Sequence, residues 1–113
     1  MNDSILVTIK KLIGVSPDFT DFDIDLITHI NSVMLILRQL GIGPEEGYVI
    51  EGYDERWGDY ISDISKLAAV KSYIAAKVRM AFDPPTGGAL DALKSLIAEF
   101  EWRLNVAVDP VRW

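Results

Sequence analysis

The stretch from residue 21 to residue 40 constrains the fold more than any other part of the chain. Placed about 100° apart around a helix, its residues form a stripe of Phe22, Leu26, Ile30, Val33, Ile36, Leu37 and Leu40. That is the face a helix turns to a core. Ile27 and Met34 widen the stripe on one side, and Ile24 and Leu35 fall on the far side, where a solvated helix is polar. One small core uses one face, so the apolar surplus requires a second contact. Thr20 followed by Asp23 reads as a variant of a capping box, Asp21, Asp23 and Asp25 complement the positive end of the helix, and Gly41 closes it.

The remaining elements follow from the same periodicity. Asp3 or Ser4 caps a short first helix carrying Ile5, Leu6, Ile9, Leu12 and Ile13, ended by Gly14 and reset by Pro17. A third helix over residues 65–82 places Leu67, Val70, Ile74, Val78 and Phe82 on one face, and Asp83, Pro84 and Pro85 stop it. A fourth, over residues 89–105, aligns Leu90, Leu93, Leu96, Ile97, Phe100 and Leu104, with Glu99 and Arg103 as an i,i+4 pair on the polar side. Trp102 stands among those polar residues as an anomaly. Residues 41–65 hold five glycines and seven acids interleaved with Tyr48, Tyr53, Trp57 and Tyr60. A connection of that length carries function or short structure of its own, here a strand over residues 48–51 and a helical turn over residues 57–61. The expected fold is all-α: a small bundle of about four helices with a long acidic, aromatic loop between the second and third. It forms one domain over residues 1–105, followed by a short apolar tail over residues 106–113.

A chain of 113 residues suits one core and leaves no room for a second catalytic domain. Half of its residues are hydrophobic and the mean hydropathy is +0.19, which excludes disorder. Its apolar runs fall short of the roughly 20 residues that cross a bilayer, and the opening residues do not read as a signal peptide. There is no cysteine, hence no disulfide, thiolate nucleophile or thiolate metal site. The net charge of −6 is uneven: residues 1–63 carry −8 and residues 64–113 carry +2. An acidic total argues against tight nucleic-acid binding, whose affinity comes from Lys and Arg on phosphates, and leaves loose contact with DNA open.

Catalytic chemistry is sparse. His29, the one histidine, lies within the apolar stripe, where a packed role is favoured over a general base, since no nucleophile converges on it. Asp21, Asp23 and Asp25 lack the Gly and the distal Glu of a calcium loop. The acids of residues 45–59 show no metal-ligand spacing, and Gly41, Gly43 and Gly47 surround Pro44 without a Walker lysine, so they form a turn. Lys66 and Lys77 project to one side of the third helix and Lys71 and Arg79 elsewhere, unlike a nucleic-acid helix with its bases on one face. A solvated role is favoured for them, and contact with the acidic loop of a neighbouring copy is the functional alternative. Trp57, Trp102 and Trp113 each either cover the core or anchor an interface, and together with the two-sided second helix they favour self-association. No cofactor, metal or catalytic residue is expected.

Three blocks carry a family resemblance: DIDLITHINSVMLILRQLGIGPEEGYVI at residues 23–50, KSYIAAKVRMAFDPP at residues 71–85 and LIAEFEWRLNV at residues 96–106, with the opening ILVTIKKLIGV in agreement. In order and spacing they resemble the small, helical, ring-forming head–tail connector proteins of tailed phages, common in prophages of Gram-positive bacteria. The resemblance implies a non-enzymatic head-completion or adaptor protein. Such a protein forms a homo-oligomeric ring beneath the portal, extends the DNA channel and prepares the site for the stopper and tail. The implied partners are further copies of itself, the portal protein, a stopper or tail-completion protein, and double-stranded DNA in transit without sequence-specific binding. No membrane is involved. The implied location is the virion, at the head–tail interface, after assembly in the bacterial cytoplasm.

For that role the candidate subunit interface comprises Ile24, Ile27, Met34, Leu35, Tyr53, Trp57, Lys66, Lys77 and Arg79. The candidate contact with the portal or a neighbour comprises Trp102, Val106, Val108 and Trp113. The alternative is a small helical regulatory module binding DNA or a host protein. It needs a recognition helix with clustered basic and amide side chains, which none of the four helices provides. A hydrolase built on His29 and an acid is the third and weakest reading.

Overall fold

The computed structural model describes the backbone of residues 3–108 and the side chains of residues 3–105. Among them are five helices: α1 (Ile5–Leu12), α2 (Asp23–Gln39), α3 (Trp57–Tyr60), α4 (Ile64–Phe82) and α5 (Gly87–Val108). No strand occurs among the described residues, so the expected all-α bundle stands. α4 is the central helix, packed against both α2 and α5, with α1 against it as well. Leu26, Ile30, Val33 and Leu37 of α2 meet Leu67, Val70, Ile74 and Val78 of α4 in one buried cluster, which Ile97 and Leu104 of α5 join. The Tyr73 hydroxyl of α4 donates to Glu101 Oε2 of α5 at 2.7 Å.

The first two helices end where glycine permits. Gly41 follows α2 at φ +88°, its N–H bonds the Arg38 carbonyl, and the Ile42 N–H bonds the Leu37 carbonyl. This is the paired C-terminal cap that needs a left-handed residue, sealed by the buried Leu37 and Ile42. At the other end of α2 the expected capping box does not form. Phe22 is the N-cap, and its ring has no oxygen with which to cap; the Asp23 carboxylate, the other half of the expected box, is committed elsewhere. α5 starts at Gly87 and runs to Val108, so the segment foreseen as a tail from residue 106 opens in helix. The first helix-breaking residue after Asn105 is Pro110, and the stretch before it has no reason to stop.

Asp23 is committed to Lys10. The Lys10 side chain is fully buried, and its ammonium lies 2.7 Å from Asp23 Oδ1, 2.9 Å from the Tyr53 hydroxyl, 3.2 Å from the Pro17 carbonyl and 2.5 Å from the Phe19 carbonyl. The Tyr53 hydroxyl donates in turn to Asp23 Oδ2. One cation thereby fastens α1, the connection to α2, the first turn of α2 and the long loop. Burial disfavours both charges, but the mutual hydrogen bonds and attraction outweigh it. Lys10 is held above the ordinary lysine value and Asp23 below the ordinary carboxylate value.

The long loop is a second layer of the fold. Ile5 N–H bonds the Glu55 carbonyl at 3.0 Å and Trp57 N–H bonds the Asp3 carbonyl at 3.2 Å, pinning the loop to the start of α1. Trp57, fully buried, donates its indole N–H to Thr8 Oγ1 at 3.0 Å, and the Lys71 ammonium sits over its ring. The expected helical turn is present as α3. The expected strand over residues 48–51 is not, because the Asn31 side chain of α2 takes the place of a partner strand. Its amide donates to the Ile50 carbonyl at 3.0 Å, and its oxygen accepts from the Ile50 N–H at 2.8 Å.

Lys10→Met strands a mostly buried carboxylate and two carbonyls, so it should destabilise the chain by roughly 3 kcal/mol in urea denaturation. The wild-type protein should lose the contribution of Asp23 as pH falls from about 4 through its lower folded value, since protonation then favours the unfolded state. It should lose that of Lys10 only as pH rises above about 10.4 and through its raised folded value. Because burial also pushes up the Tyr60 and Tyr73 phenols, the alkaline limb belongs partly to them. The difference between wild type and Lys10→Met isolates the lysine. Separately, Gly43 lies at φ +90° with an added Cβ 2.7 Å from the Tyr60 ring, whereas Gly14 at φ +85° has open space. Both alanine variants should lose stability, with Gly43→Ala the worse by more than about 1 kcal/mol.

Candidate functional site

The described residues form no catalytic constellation. His29 is half-buried on α2, and among the described residues no three of His, Asp and Glu converge in a group that would hold a metal ion. Glu55, an acid of the long loop, accepts from the N–H groups of Glu51 and Gly52, a turn-forming duty. The concavities are open and shallow. One of about 310 Å³ between the Gly41–Pro44 turn and the start of α4 includes Tyr60, Asp63 and Lys66. Another of about 270 Å³ lies between Arg79 and the Leu93–Leu96 side of α5. What the surface offers is apolar area.

The long loop decides which of the surplus apolar residues remain free. Ile27, Asn31, Met34 and Arg38 recur on one side of α2 at helical spacing, and that side is covered. Asn31 is paired with Ile50, the Arg38 Nε–H donates to the Glu45 carbonyl at 2.8 Å, and Ile42 and Ile50 of the loop lie in the core. Met34 is consequently 2% exposed and Ile27 half-buried against the core. Met34 and Trp57 are therefore corrected as interface candidates: both are internal to this chain, Met34 beneath the folded-back loop and Trp57 between α1 and α4. Tyr53 is half-buried and engaged in the Lys10 cluster.

The side of α2 turned away from α4 stays open. Ile24 is 81% exposed and Leu35 54% exposed, while Trp102, on the outer side of α5, is 67% exposed. Phe19 and Phe22 are also partly open and stack edge-to-face in series with Phe82, with ring centroids 5.3 and 5.1 Å apart. Lys66 and Lys77 are half-buried on α4 and Arg79 is exposed there. Arg103 and Glu99 form the foreseen exposed pair at 2.9 Å. Val106 and Val108 belong to α5, but their side chains, like all of Trp113, lie outside the described residues.

Sequence reasoning missed Lys10 altogether. Its helical position beside Leu6 and Ile13 was the available signal, since a lysine at the edge of an apolar stripe needs acceptors and Asp23 and Tyr53 can supply them. The structure thus brings no predicted residues together into a reactive site. It leaves uncovered apolar side chains on the two outer helices.

Compared with known protein families, residues 5–111 match the model of the phage connector protein family. A search of the curated proteins and one of the solved structures returned no match. The matched region takes in every described helix and the whole of the long loop, so the chain belongs to the phage connector protein family.

Proposed function

We propose that the chain is the head–tail connector, or adaptor, of a tailed phage particle. In this reading copies of it close into a ring beneath the portal, continue the DNA channel and present the site for the stopper and tail. The observation that carries the reading is the family match over nearly the whole chain. Its physical support is the apolar surface left uncovered by the monomer on Ile24, Leu35 and Trp102. A ring needs two different patches on each subunit, and α2 and α5 supply one each. The exposed part of the candidate interface, together with Lys66, Lys77 and Arg79, would face neighbouring copies. Trp102 and residues 106–113 would meet a neighbour or the portal.

The acidic balance suits a channel that must let DNA through. With a net charge of −6, the four bases of α4 spread around that helix and those of α5 interspersed with acids, phosphate attraction is weak and unfocused. The reading assigns the protein to the virion and to a structural role.

Mixed with its cognate portal, the purified chain should co-sediment and appear as a ring on the portal face in negative-stain images. No association with the portal would overturn the connector reading. In a mobility-shift assay, any retardation of duplex DNA should vanish between low and moderate salt. A discrete band surviving moderate salt would favour the regulatory alternative instead.

A further inference from the structure

The two uncovered helix faces fit each other, and we infer that the outer face of α2 in one copy packs antiparallel against the outer face of α5 in the next. The inference rests on the connector reading and specifies its subunit contact. Along α2 the solvent-facing positions at helical spacing are Ile24, Thr28, Ser32, Leu35 and Gln39, none of them charged. The two hydroxyls are already satisfied within the helix. Thr28 donates to the Ile24 carbonyl at 2.9 Å and Ser32 to the Thr28 carbonyl at 3.0 Å. Between Ile24 and Leu35 the face is uncharged and its small polar side chains are satisfied within the helix, so that part can be covered without stranding a polar group, while Gln39 lies at its edge beyond Leu35.

The outer face of α5 has the complementary relief. Ser95, Ala98 and Trp102 share one side of the helix and are all exposed. Charges at the rims fix the direction. On α2, Asp25 precedes Arg38 by thirteen positions, and on α5, Asp91 precedes Arg103 by twelve. At about 1.5 Å per residue the two spans are roughly 20 and 18 Å. Run antiparallel, Asp25 faces Arg103 while Arg38 faces Asp91. Run parallel, acid meets acid and base meets base. In the antiparallel register the Ile24 end of α2 meets Trp102, Leu35 comes opposite Ala92 and Ser95, and the small residues in the middle let the helices approach closely. The Arg103–Glu99 pair is exposed, so its rearrangement toward a neighbour costs little.

The two faces also lie where a head-to-tail contact needs them. α4 is packed between α2 and α5, so each outer helix presents its free face away from the centre of the subunit. A contact between unlike faces repeats from copy to copy and closes when its rotation allows.

The absence of cysteine makes the contact directly testable. Ile24→Cys and Trp102→Cys proteins, mixed and joined by oxidation or a short bismaleimide, should give the mixed dimer, whereas Glu46→Cys with Trp102→Cys should give background only. The measurement is made on the free chain at high concentration and again on the portal-bound assembly. Asp25→Arg or Arg103→Asp alone should lower the association constant roughly tenfold, and the double reversal should recover most of it. If Trp102→Cys joins Glu46→Cys as readily, or joins neither while the protein still assembles, the contact is overturned and the connector reading survives. If nothing is joined, no oligomer sediments and the portal is not bound, both fall.

Discussion

An ammonium removed from water must be surrounded by oxygens, and few chain segments can deliver them without being fixed themselves. Lys10 draws its acceptors from Pro17, Phe19, Asp23 and Tyr53. These belong to the connection after α1, the first turn of α2 and the long loop, three pieces that helix packing alone would leave free to slide. Each acceptor is useful only if the others are in place, because a partly satisfied buried charge is worse than an apolar core. The cluster therefore specifies register as well as stability. The two carbonyls hold the turn between the helices, Asp23 is diverted from capping its own helix, and Tyr53 draws the loop inward.

With the loop anchored at Tyr53 and Trp57, its remaining contacts become local. Asn31 can act as an edge for Ile50 only if residues 48–51 run past the middle of α2, and the Gly41 cap with the Gly43–Tyr60 approach folds the first half of the loop back to that side. The consequence is a fold with two kinds of apolar surface on one helix. The Met34 side is buried by the chain's own loop, whereas the Ile24 and Leu35 side has nothing over it. The indole of Trp57 is used in the same way, filled in by Thr8 and Lys71 from helices on either side.

What the sequence made legible was whatever depends on neighbours within a turn or two. The helical stripes, the Gly14 and Gly41 stops, the turn at Trp57, the Asp83–Pro85 break and the Glu99–Arg103 pair all belong to that class. Ile24 and Leu35 were also readable as surplus, because angular position around a helix is local information. What failed depended on partners distant in sequence. Asp23 looked like a cap because Lys10, thirteen residues away, is outside any helical window. The residues around Ile50 looked like a strand because their hydrogen-bond partner is an amide side chain nineteen residues earlier. Met34 looked available for an interface because no periodicity reveals that a loop will fold over it, and Trp57 because none reveals that its indole will be held between Thr8 and Lys71.

The charge asymmetry of the sequence gains meaning from the same layering. Residues 1–63, carrying −8, take in α1, α2 and the long loop, and residues 64–113, carrying +2, take in α4 and α5. The surplus of bases sits on α4, which has Lys66, Lys71, Lys77 and Arg79 and no acid, whereas α2 and α5 each come to −1. The imbalance along the chain therefore sets the central helix apart and leaves the two outer helices alike in charge. What distinguishes those two is relief: α2 offers Ile24 and Leu35 with small side chains between them, and α5 offers Trp102 beside Ser95 and Ala98. Antiparallel pairing of rim charges would serve like helices as well as unlike ones, so under the proposed contact it is the fit of the indole against the Ile24 end of α2 that favours head-to-tail association, the arrangement that can close into a ring, over a symmetric pair that would end at two copies.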